Sequence, residues 1–209
     1  MTSTMTPKDI AQTIGKRDRA FATFIDVVGP PPRRRSAPVA DRFGDLARSI
    51  TFQLLATKAA DTIYRRVIDI CGGEVNPESI TTAGHARLRG VGLSNAKAAA
   101  MLDLAERTRD GRIHLARHGR MSDDDVLNDV VAVRGIGQWT AQMYLMHTLG
   151  RHDVWPAGDL GVRNGWSLLH RLDEMVTAID LKGHGDAFIG VRSDVAWYCW
   201  HAVHVARAK

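Results

Sequence analysis

The chain has 209 residues, and its 28 lysine and arginine residues outnumber its 23 aspartate and glutamate residues. This length allows one or two domains, and no apolar run approaches the roughly 20 residues that a membrane span needs. Two cysteines, Cys71 and Cys199, cannot form a four-thiolate zinc or iron–sulfur site. The N-terminus lacks the pattern of a signal peptide, which predicts a cytoplasmic protein with no membrane partner.

The basic residues are mainly arginines, which number 22 because only six of the 28 are lysines. Residues 1–40 hold seven basic and three acidic residues, and so carry +4 of the chain's formal net charge of +5. They include a predicted exposed linker with three consecutive arginines, Arg33 to Arg35. An excess of this size is as compatible with simple solubility as with nucleic-acid binding.

Apolar residues recur at helical spacing along most of the chain, and no region reads as a β-sheet, which predicts an all-α fold of about ten helices. N-cap signals are expected at Asp41, Asn76, Ser94 and Ser122. The longer predicted helices, in chain order, cover residues 8–28, 41–54, 58–71, 94–108, 122–133, 138–149, 159–169, 173–179 and 193–207.

The most specific segment runs from Val133 to Ala141 and reads Val-Arg-Gly-Ile-Gly-Gln-Trp-Thr-Ala between two helical patterns. Its two glycines allow a tight turn, after which free backbone amides at the start of the next helix form an anion site. An ordinary helix–turn–helix corner is the alternative. The longer pattern resembles a helix-hairpin-helix motif, for which we expect the amides of Gly135, Gly137 and Thr140 to bind a DNA phosphate.

The same turn offers backbone carbonyls as well as amides. The carbonyl oxygens of Val131, Val133 and Ile136 are candidate ligands for a structural monovalent cation, while no cofactor is expected. His201 and His204 are spaced i, i+3 on the last predicted helix, but the sequence shows no third ligand near them for a metal ion.

A carboxylate follows the hairpin at a fixed interval. Asp159 lies 20 residues after Trp139, behind a proline- and glycine-containing loop and at a predicted helix start. Capping that helix is the simplest role for an aspartate in this position, and catalysis is the other. The two roles are compatible.

Hairpin, loop and Asp159 together resemble the helix-hairpin-helix DNA glycosylase superfamily, and more closely its 3-methyladenine DNA glycosylase II branch. Three more segments carry the resemblance: residues 49–60, 88–98 and 191–200. The resemblance as a whole covers residues 41–205. The chain departs from the family pattern at Leu54, where a second glutamine usually follows Gln53. It departs again at Ala157-Gly158-Asp159, where some members have Gly-Pro-Asp.

The resemblance implies a two-lobed fold with an active-site cleft between the lobes. The expected divisions are a helical lobe with the hairpin at residues 41–157, and a C-terminal lobe at 158–209. Residues 1–40, with their helix and arginine-rich linker, are expected to pack with the C-terminal lobe.

The resemblance also implies excision of alkylated purines, 3-methyladenine and 7-methylguanine, from flipped-out nucleotides during base-excision repair. Cleavage of the N-glycosidic bond builds positive charge on the sugar, and the carboxylate of Asp159 would stabilise that charge and orient water. The partner would be double-stranded DNA, and an AP endonuclease would act on the product. We expect a monomer associated with the nucleoid.

Other site roles rest on family position and side-chain chemistry. Cationic bases stack on aromatic rings, which makes Trp139, Trp155 and Trp197 candidates for the base pocket, whereas Trp200 is expected in the core. Gln53 and Leu54 are candidates for the wedge that fills the gap left by the base. Lys58 and Arg163 are candidates for phosphate contacts. Core packing or solvated surface is the alternative for each of these residues.

Some relatives also cleave the DNA strand, using a lysine of the second hairpin helix as a nucleophile. That position matches Trp139 here, which predicts a glycosylase without AP-lyase activity. Two rival functions remain. One is a related glycosylase for uracil, hypoxanthine or mismatched bases, and the other is a non-catalytic DNA-binding protein that recognises damage.

Overall fold

The computed structural model describes residues 5–208, and every regular element among them is helical, which confirms the all-α prediction. A π-helical segment, Tyr144–Thr148, continues the helix that ends at Met143, and a 3₁₀ segment, Gly185–Phe188, follows the helix that ends at His184. The α-helices are α1 Pro7–Arg17, α2 Arg19–Val28, α3 Asp41–Phe52, α4 Thr57–Ile70, α5 Pro77–Gly90, α6 Asn95–Arg109, α7 Asp123–Val131, α8 Gln138–Met143, α9 Leu160–His170, α10 Ala178–His184 and α11 Arg192–Arg207.

Three of the four predicted N-caps are confirmed by hydrogen bonds from the cap side chain. Asn76 accepts the amide of Ser79, Ser94 that of Lys97, and Ser122 that of Asp125. The prediction for Asp41 is wrong, because Ala40 is the N-cap and Asp41 is the first residue of α3. At that position its carboxylate still interacts favourably with the positive end of the helix dipole.

Two predicted helices differ from the structure. The helix expected over residues 8–28 is broken at Asp18, whose backbone is extended (φ −153°) and whose carboxylate caps α2 by accepting the amides of Ala20 and Phe21. A local cap therefore overrides the continuous apolar periodicity. The helix expected over residues 173–179 is also misplaced, because Thr177 caps a helix that starts only at Ala178.

The helix predicted over residues 138–149 changes type along its length. It is α-helical only to Met143, and a π-helical segment completes it. The α-helical part directly follows the glycine-containing turn at residues 132–137, and the π-helical part follows the α-helical part.

The described residues separate into two compact units, one formed by residues 5–35 and 150–208 and the other by residues 36–149. The predicted boundaries at residues 40 and 157 lie a few residues after these, and the cleft expected between lobes stays a prediction. None of the helices within residues 5–208 combines the length and the apolar character that a membrane crossing requires.

The first unit is built around closely packed α9 and α11. A Cβ atom on Gly165 of α9 would lie 1.9 Å from the carbonyl oxygen of Cys199 on α11, so only glycine permits this approach. Phe21 of α2 contacts Trp166 of α9 with ring centroids 5.6 Å apart, and it contacts Phe188 at the same distance. Trp155, in the loop before α9, contacts Trp166 with ring centroids 6.2 Å apart, which ties that loop to the aromatic core.

The arginine-rich linker belongs to this unit and is only partly exposed. Arg34 Nε donates to the buried carboxylate of Asp194 at 2.8 Å, and its guanidinium group also donates to the carbonyl of Ser193. Arg33 and Arg35 are exposed. One of the three linker arginines therefore has a structural role that the sequence analysis did not foresee.

The second unit buries the apolar faces of α3, α6 and the hairpin helices. Leu46 and Ile50 of α3, Met101 and Leu104 of α6, and Val130 of α7 are all fully buried. Because α7 and α8 are anchored to this core, the turn between them is held at the surface of a rigid support.

Candidate active site and DNA interface

The hairpin turn joins α7 to α8 through residues 132–137. Val133 and Ile136 are buried at 1% and 5% exposure, and the amide of Ile136 donates to the carbonyl of Val133 at 3.1 Å. Gly135 has φ +76°, a left-handed conformation that favours glycine. The apolar residues anchor the turn, while Gly135 and Gly137 are exposed.

The N-terminus of α8 lacks a side-chain cap, since Gly137 occupies the N-cap position. The first hydrogen bond within α8 runs from the amide of Ala141 to the carbonyl of Gly137, at 3.1 Å. Residues 138–140 therefore lie ahead of the first intrahelical donor. Thr140, whose amide is one of the predicted phosphate donors, is nearly buried in this turn. The start of α8 therefore has no side-chain cap, and phosphate binding by the amides of Gly135, Gly137 and Thr140 stays a prediction.

Gln53, Leu54 and Trp139, which the sequence assigns to the wedge and the base pocket, come together in the same unit. They share a surface pocket of about 200 Å³ with Arg48, Ser49, Phe52, Thr140 and Met143. Leu54 is fully exposed and Trp139 is 51% exposed, so neither is a core residue. The core alternative for Leu54 is therefore wrong.

Asp159 is the N-cap of α9. Its Oδ1 atom accepts the amide of Val162 at 2.8 Å and, from the other side, the indole N–H of Trp200 at 2.8 Å. Asp159 is half-buried. The capping role foreseen as an alternative is thus present, and a second donor fixes the carboxylate as well.

Trp200 is a site residue that the sequence analysis missed, because it was expected in the core. It lies on α11, 41 residues from Asp159, and reaches that residue because Gly161 leaves room for its ring. A Cβ atom on Gly161 would lie 2.8 Å from Cδ1 of Trp200 and 3.1 Å from Oδ1 of Asp159. Gly161 and Gly165, four residues apart on one helix, were the available signal for this close approach.

The other two predicted pocket tryptophans lie in the same unit as Asp159. Trp155 donates its indole N–H to the carbonyl of Leu181 at 2.8 Å and packs closely over Gly185. Trp197 stacks on His201 with ring centroids 4.9 Å apart. Both residues are half-buried.

The two predicted phosphate-binding side chains differ in their surroundings. Lys58 is exposed in the first turn of α4. Arg163 is half-buried on α9, and its Nε donates to the carbonyl of Val176 at 2.8 Å. Lys58 is therefore accessible to a phosphate, whereas Arg163 is partly committed to the backbone.

A buried polar cluster supports the hairpin from within its own unit. His118 is fully buried; its Nδ1 lies 3.0 Å from the hydroxyl of Tyr144, and its Nε2 lies 3.3 Å from the carboxylate of Asp129. Burial lowers the pKa of His118, and the charge of Arg42 acts in the same direction, while Asp129 opposes them. Because Asp129 lies on α7 and Tyr144 follows α8, the cluster links both hairpin helices.

The candidate cation ligands Val131, Val133 and Ile136 lie at the end of α7 and in the hairpin turn. Among the described residues, no group of three or more histidine, cysteine or acidic side chains is arranged to hold a metal ion. His201 and His204 are therefore not part of such a group.

Comparisons with a family model and with individual proteins point to the same family. Residues 47–184 match the model of the HhH-GPD superfamily of base excision DNA repair proteins. DNA-3-methyladenine glycosylase 1 of Schizosaccharomyces pombe is 31% identical over 192 residues, which are 90% of this chain and 84% of that protein.

Two solved structures extend the match to three dimensions. A 3-methyladenine DNA glycosylase of Schizosaccharomyces pombe in complex with abasic DNA has a TM-score of 0.81 at 30% identity, covering 91% of this chain and 94% of the other. The DNA-3-methyladenine glycosidase of Bacillus halodurans has a TM-score of 0.86 at 31% identity, covering 99% and 94%. This chain belongs to the HhH-GPD superfamily of base excision DNA repair proteins.

Proposed function

We propose that this chain is a monofunctional DNA glycosylase that excises alkylated purines, 3-methyladenine and 7-methylguanine, and leaves an abasic site. Family membership and the activity named for the similar proteins support this function. The observation that carries it is the geometry of Asp159 at the start of α9, where its carboxylate accepts hydrogen bonds from the Val162 amide and the Trp200 indole. Two donors on one oxygen keep the carboxylate in one orientation.

The reaction breaks the bond between C1′ of the sugar and the glycosidic nitrogen of the base. The bonding electron pair leaves with the base, which is already cationic when alkylated and departs as a neutral molecule. Positive charge develops on the sugar, where the carboxylate of Asp159 stabilises it. Water then bonds to C1′ and loses a proton, for which Asp159 is the candidate acceptor.

The remaining roles follow the chemistry of each side chain. Trp139, Trp155 and Trp197 are the candidates to stack on the flipped base, and Gln53 and Leu54 to fill the space it leaves. The accessible Lys58 is a better candidate than Arg163 for a phosphate contact. We propose that the amides of Gly135, Gly137 and Thr140 bind the DNA backbone.

The absence of AP-lyase activity is part of the proposal. The hairpin position at which bifunctional relatives are expected to carry a nucleophilic lysine holds Trp139. Without an amine there, no Schiff base forms with the sugar, and water completes the reaction. A nicked product that appears without heat or alkali would contradict this.

The wider setting is also proposed. The enzyme would act as a cytoplasmic, nucleoid-associated monomer without a catalytic cofactor, and an AP endonuclease would process its product. A structural monovalent cation at the carbonyls of Val131, Val133 and Ile136 would assist only the hairpin's hold on DNA.

Base release from methylated duplex DNA by the Asp159→Asn variant tests the function. Asparagine caps helices as well as aspartate does, so the contacts from Val162 and Trp200 are retained while the negative charge is lost. We expect the release rate to fall by about 100-fold or more, with the melting temperature and DNA affinity nearly unchanged. Asp180→Asn, at an exposed position of α10, is the matched control and should keep full activity.

Each rival function has its own outcome in this assay. Wild-type release of uracil or hypoxanthine without any methylated purine would support a related glycosylase. DNA binding without release of any base would support a damage-recognition protein. An Asp159→Asn variant that releases bases at the wild-type rate would remove Asp159 from the mechanism.

A further inference from the structure

Leu54 is held in a conformation that a leucine does not adopt without support. Its side chain is fully exposed, and its backbone is left-handed with φ +54°. Exposure of a large apolar side chain and a positive φ at a non-glycine residue are both unfavourable. Some contact in the surrounding structure must therefore fix the turn that presents Leu54.

Lys97 supplies that contact. Its Nζ atom donates to the carbonyl of Thr51 at 2.8 Å and to the carbonyl of Gln53 at 2.6 Å. These carbonyls belong to the C-terminal end of α3, where a helix leaves its last carbonyls without intrahelical partners and favours a cation. Lys97 thus ties down the residues on the N-terminal side of Leu54.

A second tether connects the same turn to the hairpin. Gln53 Nε2 donates to the carbonyl of Gly135 at 3.0 Å. Gly135 packs against α6 as well, because a Cβ atom on it would lie 3.5 Å from the Cβ of Ala100. Helix α6 therefore supports both the Gln53–Leu54 turn, through Lys97, and the hairpin turn, through Ala100.

We propose that Lys97 is a positioning residue for base excision, which holds the Gln53–Leu54 turn so that Leu54 enters the duplex when the damaged base leaves. The inference rests on the proposed function and adds to it a residue that touches neither the base nor the sugar. Lys97 acts through Leu54, so its importance depends on how much the base resists leaving the duplex.

The test compares two duplexes that differ only opposite the damaged base. In one, 7-methylguanine is paired with cytosine; in the other, it faces an abasic-site analogue and has no partner. The Lys97→Met variant keeps the apolar part of the side chain and loses both hydrogen bonds. We expect single-turnover excision to fall about tenfold from the paired duplex and less than about twofold from the unpaired one.

Two further variants make the test specific. Lys97→Arg keeps a cationic donor and should restore excision from the paired duplex to within about threefold of wild type. Leu54→Ala should show the same selective loss as Lys97→Met, and the double variant should be no slower than the slower single variant. Coupling of this kind is expected when one residue acts through the other.

The outcomes separate this inference from the proposed function. Equal losses from both duplexes, or multiplicative losses in the double variant, would overturn the positioning role while leaving the glycosylase activity intact. Wild-type protein that excises the base from neither duplex would contradict the proposed function itself. If Lys97→Met does not fold, Leu54→Ala keeps the inference falsifiable, because Lys97 is proposed to act through Leu54 and an equal loss from both duplexes in Leu54→Ala would overturn that role.

Discussion

Two helix N-termini in this chain are completed in opposite ways. Helix α9 begins behind Asp159, whose carboxylate accepts the amide of Val162. Helix α8 begins behind Gly137, which has no side chain with which to cap it. A helix N-terminus has unpaired amides and partial positive charge, so an anion is favoured at both places. The chain provides its own anion at α9, whereas no side chain caps α8.

Under the proposed function, one kind of backbone geometry, the helix N-terminus, would serve DNA binding at α8 and base release at α9. At α9 the helix holds a carboxylate in place, and the negative charge of that carboxylate can stabilise a sugar cation. At α8 the amides themselves are the proposed binding groups, and a phosphate is an anion that suits a helix N-terminus. Substitutions that exchange these features should therefore exchange or abolish the two roles.

Giving α8 an aspartate cap like that of α9 should have the largest effect on DNA binding. Gly137 has φ −93°, which suits any residue, and an added Cβ atom would meet nothing within 4 Å. In Gly137→Asp, the carboxylate can cap α8 and should raise the free energy of unfolding by roughly a few tenths of a kcal/mol. The same charge repels phosphate, so we expect affinity for duplex DNA to fall about 100-fold at fixed salt.

Two matched variants separate the effect of capping α8 from the effect of placing a negative charge there. Gly137→Ala adds neither a cap nor a charge, and its DNA affinity should stay within about threefold of wild type. Gly137→Asn adds an uncharged cap and should fall between the other two. Fluorescence anisotropy gives the affinities and thermal unfolding the stabilities; if Asp and Ala variants bind DNA equally well, α8 does not hold a phosphate.

Weakening the support of the α9 carboxylate should have a smaller effect than removing its charge. Trp200→Phe keeps an aromatic ring and loses the N–H that donates to Asp159 at 2.8 Å. A hydrogen bond to a charged group contributes about 1.5–3 kcal/mol, so we expect base release to slow by about tenfold. Substrate affinity should change little, since the charge at position 159 is still present.

The control for this prediction is a double variant. If Trp200 acts by orienting Asp159, then Trp200→Phe should have little further effect in the Asp159→Asn background. Independent, multiplicative losses measured in single-turnover assays would show that the indole contributes through another contact, such as the base itself.

These two sites also differ in how far the sequence could predict them. The hairpin is local in the chain, and the caps at Asn76, Ser94 and Ser122 are read from neighbouring residues, so turn and helices were predictable. The capping role of Asp159 could be foreseen for the same reason. Trp200 could not, because α11 is apolar on most sides and periodicity does not show which indole reaches a residue 41 positions away.

Other failures have the same physical origin, a contact that competes with a local pattern. The apolar spacing through residues 8–28 is continuous, but the carboxylate of Asp18 satisfies two amides and divides the segment into two helices. Arg34 looked like a linker residue, yet it pairs with the buried Asp194. Periodicity detects which residues are apolar, whereas these contacts depend on which distant partner is brought close.

A buried histidine packs between the two hairpin helices, and its lowered pKa should produce the smallest of these effects. His118 contacts Tyr144 and Asp129, and burial lowers its pKa below the ordinary value of 6.5. The unfolded chain therefore takes up this proton at a higher pH than the folded chain does, so the stabilisation is intact above pH 6.5 and declines as the pH falls below it. One such proton contributes at most about 1.4 kcal/mol per pH unit.

Chemical unfolding at pH 7.5, 6.5 and 5.5 measures this contribution when wild type is compared with His118→Gln. The variant retains a polar group in the cluster but cannot take up a proton, so its free energy of unfolding should vary less with pH. It should be the less stable protein at pH 7.5, and the gap should narrow on acidification. Parallel pH dependences would mean that His118 does not change its charge on unfolding, and that the hairpin's support is insensitive to pH over this range.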